Sequence, residues 1–199
     1  MIKAIIFDLN GIFIQSSRLS DRFEGKFGVP SSNFLPALKE ILSKARMPNA
    51  GDSFSYWKPY LDKWGTNLTR EEFFDFWFSA EKDVPEIIDL VKEIKEGGVK
   101  IFILSNNFAE RANYYRDNFS FIREIPEKIY YSWQTGFVKP NPQAYRKILE
   151  ENDLQPEECL YFDDSQEHAD TANSLGIKSF RFAGIYNLKE IFKSNQLIE

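Results

Sequence analysis

Cysteine and histidine are nearly absent from this chain of 199 residues, which has one of each, Cys159 and His168. A single cysteine has no partner within the chain, so an internal disulfide is excluded and a reducing compartment is favoured. One histidine argues against a Cys/His zinc site and against a catalytic triad of serine, histidine and aspartate. Any chemistry must therefore depend on carboxylates, amides, hydroxyls and lysines.

Long apolar runs and blocks of basic residues are also missing. No apolar stretch approaches the roughly 18 to 20 residues that a membrane-spanning helix needs, and the opening MIKAIIFDLN meets a charge too early for a secretory signal. The 25 Lys and Arg against 30 Asp and Glu give a net charge of −5, with no basic block that could neutralise a phosphate backbone. We therefore expect a cytoplasmic protein that binds neither membranes nor nucleic acid. Nothing in the sequence indicates an oligomeric state.

The composition is that of a globular protein, with 43% apolar and 28% charged residues. Five short apolar runs alternate with stretches of helical periodicity, as is typical of strands buried on both faces of a parallel sheet. These runs lie at residues 4–7, 99–104, 129–131, 160–162 and 179–182. The alternation predicts an α/β fold built on a doubly wound parallel sheet.

An insertion separates the first two predicted strands. From residue 16 to residue 82 the periodicity is helical, with breaks near residues 28–32, 47–52 and 65–69, so we expect four helices. The sequence thus predicts a core of residues 1–15 and 83–199 and an inserted helical unit of residues 16–82. The insertion is rich in aromatic residues, and we expect most of these rings to fill its own core and its contact with the sheet.

Four short polar segments lie next to the predicted strands and helices. FDLNG (7–11), LSNN (104–107) and YFDDS (161–165) end predicted strands, and GFVKPNP (136–142) precedes a helix. Each segment alone is explained by an ordinary turn, a helix cap or prolines at a helix start. In an open parallel sheet, however, the carboxyl ends of the strands border one crevice. We therefore expect the four segments to meet in one pocket.

The side chains of that pocket predict a metal and phosphate site. Three acidic residues would repel one another unless a divalent cation bound between them, and hard oxygen ligands select Mg²⁺. A hydroxyl donor, an amide donor and a lysine beside that cation would hold a phosphoryl group.

In their order and spacing, the four segments resemble motifs one to four of the haloacid dehalogenase (HAD) superfamily. GFVKPNPQAY and YFDDSQEHADTANSLGI resemble its phosphatase branch closely, and the helical insertion is similar to the type-1 cap of that superfamily. The resemblance covers nearly the whole chain. It implies a HAD-like Rossmannoid core and a Mg²⁺-dependent phosphatase that acts on a small phosphomonoester through an aspartyl-phosphate.

The resemblance also implies a role for each residue of the site. Asp8 is the nucleophile, Ser105 and Asn106 hydrogen-bond the phosphoryl group, and Lys139 offsets the charge of both. The implied Mg²⁺ ligands are Asp8, Asp163, Asp164 and the backbone carbonyl of Asn10. The cap would close over the leaving group, so a sugar phosphate or similar small metabolite is the expected substrate. Trp57 and Arg46 are candidates for contacts with the leaving group.

Asn10 departs from the family pattern, in which a second aspartate at this position protonates the leaving alcohol and then activates water. An amide cannot exchange protons in this way, and general acid-base catalysis is worth about 10² to 10⁴ in rate. The chain is therefore predicted to be an impaired phosphatase. His168 is a lesser departure, because the family often has asparagine there. Three explanations of Asn10 stay open: an engineered change, a native residue, or deamidation favoured by the following Gly11.

Two other functions compete with the phosphatase. A catalytically silent protein that binds a phosphorylated ligand would explain Asn10, but not the otherwise intact set of nucleophile, lysine and metal ligands. A 2-haloacid dehalogenase would use the same nucleophile without a metal and would not need the acidic pair Asp163 and Asp164.

Overall fold

A five-stranded parallel sheet forms the centre of the structure, a computed structural model that describes residues 1–198. The strand order is β5-β4-β1-β6-β7, with parallel pairing at each neighbour. The seven strands are β1 Ala4–Phe7, β2 Ile14–Gln15, β3 Lys82–Asp83, β4 Lys100–Ser105, β5 Lys128–Tyr131, β6 Cys159–Asp163 and β7 Lys178–Arg181. The five predicted runs thus all form strands of this sheet, displaced by at most one residue at either end, and the predicted α/β fold class is confirmed.

The helices connect these strands and cover the sheet. They are α1 Leu19–Phe27, α2 Ser31–Ala45, α3 Phe54–Lys63, α4 Arg70–Phe78, α5 Pro85–Glu96, α6 Ala109–Asn118, α7 Phe121–Glu124, α8 Ser132–Thr135, α9 Pro142–Glu151, α10 Gln166–Ser174 and α11 Ile185–Ser194. A 3₁₀ turn at Pro156–Glu158 precedes β6. None of the helices within residues 1–198 combines the length and the apolar character that crossing a bilayer would require.

Alternating side chains of the central strand place helices on both faces of the sheet. Ile5 and Phe7 belong to an apolar cluster with α5, α6 and α11, whereas Ala4 and Ile6 belong to a cluster with α9 and α10. All four side chains are completely buried. Because β1 is covered on both sides, its sequence is a continuous apolar run rather than an alternating one.

The insertion contains the four predicted helices, α1 to α4, and a third apolar cluster built largely from aromatic rings. Trp57 stacks on Phe34 with ring centroids 5.4 Å apart and contacts Phe73 at 4.9 Å. Phe108, which follows β4 in the sheet domain, belongs to the same cluster. The expectation that most of these rings form a core is therefore confirmed.

Two short strands flank the insertion, and the sequence did not predict them. Ile14 pairs with Asp83 and Gln15 with Lys82 in an antiparallel ladder, so the chain leaves and re-enters the sheet domain at neighbouring points. A strand of two residues is too short to show a periodicity in the sequence.

Candidate functional site

The acidic residues of the first and fourth segments meet at the carboxyl edge of the sheet. Asp8 follows β1 and Asp163 ends β6, and these two strands are neighbours. The Asp8 N–H donates to the Phe162 carbonyl at 2.8 Å, which fixes the register at this edge. Asp8, Asp163 and Asp164 each offer a carboxylate oxygen within 4.8 Å of the other two. The structure therefore brings together the three carboxylates that the sequence predicted to be close.

Lys139 joins two of these carboxylates. Its Nζ lies 2.9 Å from Asp8 Oδ1 and 2.7 Å from Asp163 Oδ2, and its side chain is almost completely buried. The residue lies in the loop before α9, which begins at Pro142, rather than at the start of that helix. An ammonium group in this position compensates two buried negative charges.

The side chain of Asn106 holds the Lys139 backbone. Its Nδ2 donates to the Lys139 carbonyl at 2.9 Å, and its Oδ1 accepts from the Lys139 N–H at 2.7 Å. This reciprocal pair fastens the second segment to the third. The family resemblance assigns Asn106 to hydrogen bonding with phosphate; its amide also positions Lys139, and because Asn106 lines the cavity and Nδ2 carries a second N–H, the phosphate role stays a prediction. Ser105, by contrast, is buried and its Oγ has no hydrogen-bond partner within residues 1–198.

Asp163 is the most heavily bonded carboxylate of the site. Besides Lys139, it accepts from the Tyr161 hydroxyl and from the Ser165 N–H at 2.9 Å, and His168 Nδ1 lies 3.0 Å from each of its oxygens. Burial alone would raise its pKa, but the hydrogen bond from His168 and the charge of Lys139 outweigh burial and hold the pKa well below its usual range. Asp163 is therefore ionised and already surrounded by donors.

The other two carboxyls have raised pKa values. Burial raises the pKa of Asp8, although the charge of Lys139 opposes the shift. Burial and the negative charges of Asp8 and Asp163 raise the pKa of Asp164 from 3.8 to about 6. Such shifts are expected where like charges crowd without a cation between them. Carboxylate oxygens so arranged fit a divalent cation with hard oxygen ligands.

Gly11 allows the first segment to pack against the fourth. Its φ of +88° favours glycine, and a Cβ at this position would lie 2.7 Å from Asp164 Oδ2. Any larger residue would displace the Asp164 carboxylate.

Asn10 and its neighbours form a polar network beside the acidic cluster. Asn10 Nδ2 donates to the Tyr115 hydroxyl at 2.7 Å. On the same face of α6, Arg111 is ion-paired with Glu81, whose side chain is completely buried, and its Nε lies 2.9 Å from Glu81 Oε1. Sequence reasoning missed these three partners. The spacing of Arg111 and Tyr115, four residues apart directly after the second segment, was the available signal, but many helices show it.

The site opens into a cavity of about 380 Å³. Asp8, Asp164, Asn10, Asn106 and Lys139 border it on the sheet side, and Arg46 and Arg111 contribute two guanidinium groups. Arg46, named from the sequence as a contact for the leaving group, therefore lines the cavity. Trp57, named with it, is completely buried among aromatic rings of the insertion. The expectation for Trp57 is wrong, because a side chain without exposed surface cannot touch a leaving group.

Comparisons with known proteins agree with this geometry. The family model of haloacid dehalogenase-like hydrolases matches residues 2–176. The porcine (Sus scrofa) protein named bifunctional epoxide hydrolase 2 is 25% identical over 88% of this chain, but the match spans only 35% of that protein. The D-ribitol-5-phosphate phosphatase of Bacteroides thetaiotaomicron is 23% identical over 91% of this chain and 92% of its own length.

Solved structures show the same fold. A wild-type HAD family enzyme from Bacteroides thetaiotaomicron, crystallised with magnesium and inorganic phosphate, superimposes with a TM-score of 0.79 at 20% identity. The alignment covers 96% of this chain and 100% of that one.

Proposed function

The chain belongs to the haloacid dehalogenase-like hydrolases, and we propose that it is a Mg²⁺-dependent phosphatase of small phosphomonoesters that forms an aspartyl-phosphate on Asp8. The observation that carries the proposal is that Asp8 lies in contact with Lys139 and close to the acidic pair Asp163 and Asp164, with Asp8, Lys139 and Asp164 lining one cavity. Two relatives support the proposal: one is a D-ribitol-5-phosphate phosphatase, and the other is a HAD family enzyme crystallised with magnesium and inorganic phosphate.

The two oxygens of Asp8 have different surroundings, which suits a nucleophile. Oδ1 accepts from the Leu9 N–H at 2.7 Å and contacts Lys139 Nζ at 2.9 Å. Oδ2 has no hydrogen-bond partner among residues 1–198 and is available to attack phosphorus. Lys139, the unpartnered Ser105 hydroxyl and the second N–H of the Asn106 amide are the proposed donors that stabilise charge on the transferred phosphoryl group.

Asp8, Asp164 and the backbone carbonyl of Asn10 are the proposed ligands that are easiest for Mg²⁺ to reach. Asp163 completes the predicted set, but its oxygens already accept four donors, so its larger contribution is to orient Lys139 and His168. When bound, Mg²⁺ would neutralise the crowded carboxylates and draw charge from the phosphoryl group. Asp164 is the most solvent-exposed residue of the three and is therefore the better one for testing the metal site.

Residues 16–82 are proposed to act as a cap over this site. The insertion joins the sheet domain through two adjacent strands, β2 and β3, and it supplies Arg46 to the cavity. A cavity of about 380 Å³ suits a small metabolite rather than a phosphoprotein.

Asn10 makes a silent phospho-ligand-binding protein the second candidate. Its amide is held by the buried Tyr115, so it has a stable place in the fold without any proton-transfer role. A dehalogenase has less support, because the crowded acidic cluster has a use only if a cation binds there.

The structure weakens the deamidation explanation. Succinimide formation requires the Gly11 nitrogen to attack the Asn10 side chain, but the Gly11 N–H donates to the Ile14 carbonyl at 2.8 Å and Tyr115 holds the Asn10 amide. We expect intact-mass spectrometry to find Asn10 unmodified after prolonged storage of the folded protein at neutral pH. Conversion to aspartate on that timescale would contradict this reasoning.

The proposal is tested by measuring phosphate release from p-nitrophenyl phosphate and a panel of sugar and polyol phosphates, with Mg²⁺ and with a chelator. We expect slow release that requires Mg²⁺ and is lost in Asp8→Asn. Asp89→Asn, which changes an exposed carboxylate on α5, is the matched control and should retain activity. Binding of phosphate esters without turnover, even after Asn10→Asp, would favour the silent binding protein, and absence of both would refute the proposal.

A further inference from the structure

Arg46 places an uncompensated positive charge in the cavity. It directly follows α2 and is half-buried, and its Nε is inaccessible to solvent and has no hydrogen-bond partner within residues 1–198. No carboxylate in that part of the chain forms an ion pair with it. Burying a guanidinium without a partner costs free energy that a neutral side chain would not cost.

The positive charge of Arg111 makes the position of Arg46 less favourable still. Burial and the positive charge of Arg111 lower the pKa of Arg46 to about 10, and Asp8 opposes this shift only in part. Arg111 itself is compensated by Glu81. An anion that entered the cavity beside Arg46 would remove this cost.

The transferred phosphoryl group does not require Arg46. Lys139 bridges Asp8 and Asp163 at the edge of the sheet, and Asn106 lines the cavity beside it with one N–H of its amide free. Arg46 instead belongs to the insertion, which would cover the leaving group. The excess positive charge is therefore on the part of the protein that faces the remainder of the substrate.

We propose that Arg46 binds a second anionic group of the substrate, a carboxylate or a second phosphate on the leaving group. This inference rests on the proposed phosphatase function and narrows its substrate class to phosphate esters of small acids and small bisphosphates. A guanidinium binds either group through two parallel hydrogen bonds, which the ammonium of a lysine cannot reproduce. Polyol phosphates without a second anionic group would lack this contact.

The test compares ligands that differ in one group. Titration calorimetry with Mg²⁺ measures the affinity of the protein for 3-phosphoglycerate and glycerol 3-phosphate, which differ by a carboxylate in place of a hydroxymethyl group. Fructose 1,6-bisphosphate and fructose 6-phosphate form the corresponding pair for a second phosphate. We expect the ligand with the additional anion to bind about 10- to 100-fold more tightly in at least one pair, the usual worth of a charge-assisted hydrogen bond.

Substitutions at position 46 test whether Arg46 causes this preference. In Arg46→Met the preference should disappear, while the affinity for the ligand without the additional anion is kept. Arg46→Lys should have an intermediate preference. Arg18→Met, which removes an exposed arginine of the insertion, should change neither. Without ligand, Arg46→Met should melt at the same or a higher temperature, because it removes an unpaired charge repelled by Arg111, whereas a structural role would lower the melting temperature.

Three results would overturn the inference. Equal affinity for both members of each pair would show that no second anion is recognised. A uniform loss of affinity in Arg46→Met, inorganic phosphate included, would show that Arg46 holds the transferred phosphoryl group instead. Failure of every phosphate ester and of inorganic phosphate to bind with Mg²⁺ would refute the proposed function itself, and the inference with it.

Discussion

Replacing Asn10 with aspartate should restore the missing proton transfer. The Asn10 side chain lies beside the acidic cluster and donates to the Tyr115 hydroxyl at 2.7 Å. Burial raises the pKa of Tyr115 well above 10, so this hydroxyl keeps its proton and can donate to an introduced carboxylate. Aspartate has nearly the shape of asparagine, and no rearrangement of the loop is required.

An aspartate at position 10 would lie between groups of both signs that border the cavity, with Asp8 and Asp164 as the acidic residues and Arg46, Arg111 and Lys139 as the basic residues. A carboxyl group there could give a proton to the leaving alkoxide and then take one from water. We expect Asn10→Asp to raise hydrolysis by about 10² to 10⁴, which corresponds to about 3 to 5 kcal/mol in the activation free energy.

The assay measures kcat/KM with Mg²⁺ for alkyl and aryl phosphates, on the unaltered chain and on the Asn10→Asp variant. The gain should be largest for alkyl esters, because an aryl oxide departs without a proton. The unaltered chain should release aryl alcohol in a burst followed by slow turnover. Asn10→Asp combined with Asp8→Asn is the control and should be inactive. If Asn10→Asp leaves the whole panel at background, with folding and Mg²⁺ affinity intact, the acid-base reasoning fails.

Three further predictions concern Asp164, Gly11 and Arg111, which lie around the site. In chelator, Asp164 should contribute stability that is present below about pH 4 and is lost as the pH rises through about 6, because its pKa is raised from 3.8 to about 6 in the folded state. Asp164→Asn should therefore flatten the profile of melting temperature against pH between about pH 4 and 6, and it should abolish stabilisation by Mg²⁺. An unchanged profile would contradict the raised pKa of Asp164. Gly11→Ala should lower the free energy of unfolding by about 1 to 2 kcal/mol because of the positive φ at this position, and it should weaken Mg²⁺ binding by displacing Asp164. Gly98→Ala is the control: its φ is +91° and no atom lies within 4 Å of its Cβ, so only the backbone cost is expected. Arg111→Met should destabilise the fold by about 3 to 5 kcal/mol in urea unfolding because it leaves Glu81 buried and unpaired. Arg111→Met with Glu81→Gln should recover part of that loss, and additive losses would argue against a coupled pair.

Much of the fold could be predicted because its signals are local. The run AIIF at residues 4–7 is apolar throughout, and β1 is indeed covered by helices on both faces. The helices of the insertion were predicted from periodicity and from breaks at glycine and proline. The pairing of β2 with β3 had no comparable signal, because two residues show no periodicity and their partners are far apart in the chain.

In the candidate site, too, residues with a local signal in the sequence could be predicted, and contacts between distant segments could not. Residues next to strand ends, such as Asp8, Ser105 and Asp163, could be proposed from their segments, because parallel strands end at one edge of the sheet. The family resemblance implied the pairing of Lys139 with Asp8, but the other partners of these residues had no signal in the sequence. The contact of the Asn106 amide with the Lys139 backbone had no signal in the sequence, because it depends on how two loops pack.

Arg46 and Trp57 show why residues of the insertion were the hardest to predict. Both belong to a helical segment whose sequence is dominated by core formation, and nothing in its periodicity marks the side that faces the sheet domain. Trp57 packs among rings, as an aromatic residue in an amphipathic helix usually does. Arg46 lies just past the end of α2, where no helical periodicity applies; its side chain is half-buried, and its Nε is inaccessible to solvent and has no hydrogen-bond partner within residues 1–198. Since folding alone gives no reason to bury a guanidinium nitrogen without a partner, the proposed ligand that supplies a negative charge would account for its position.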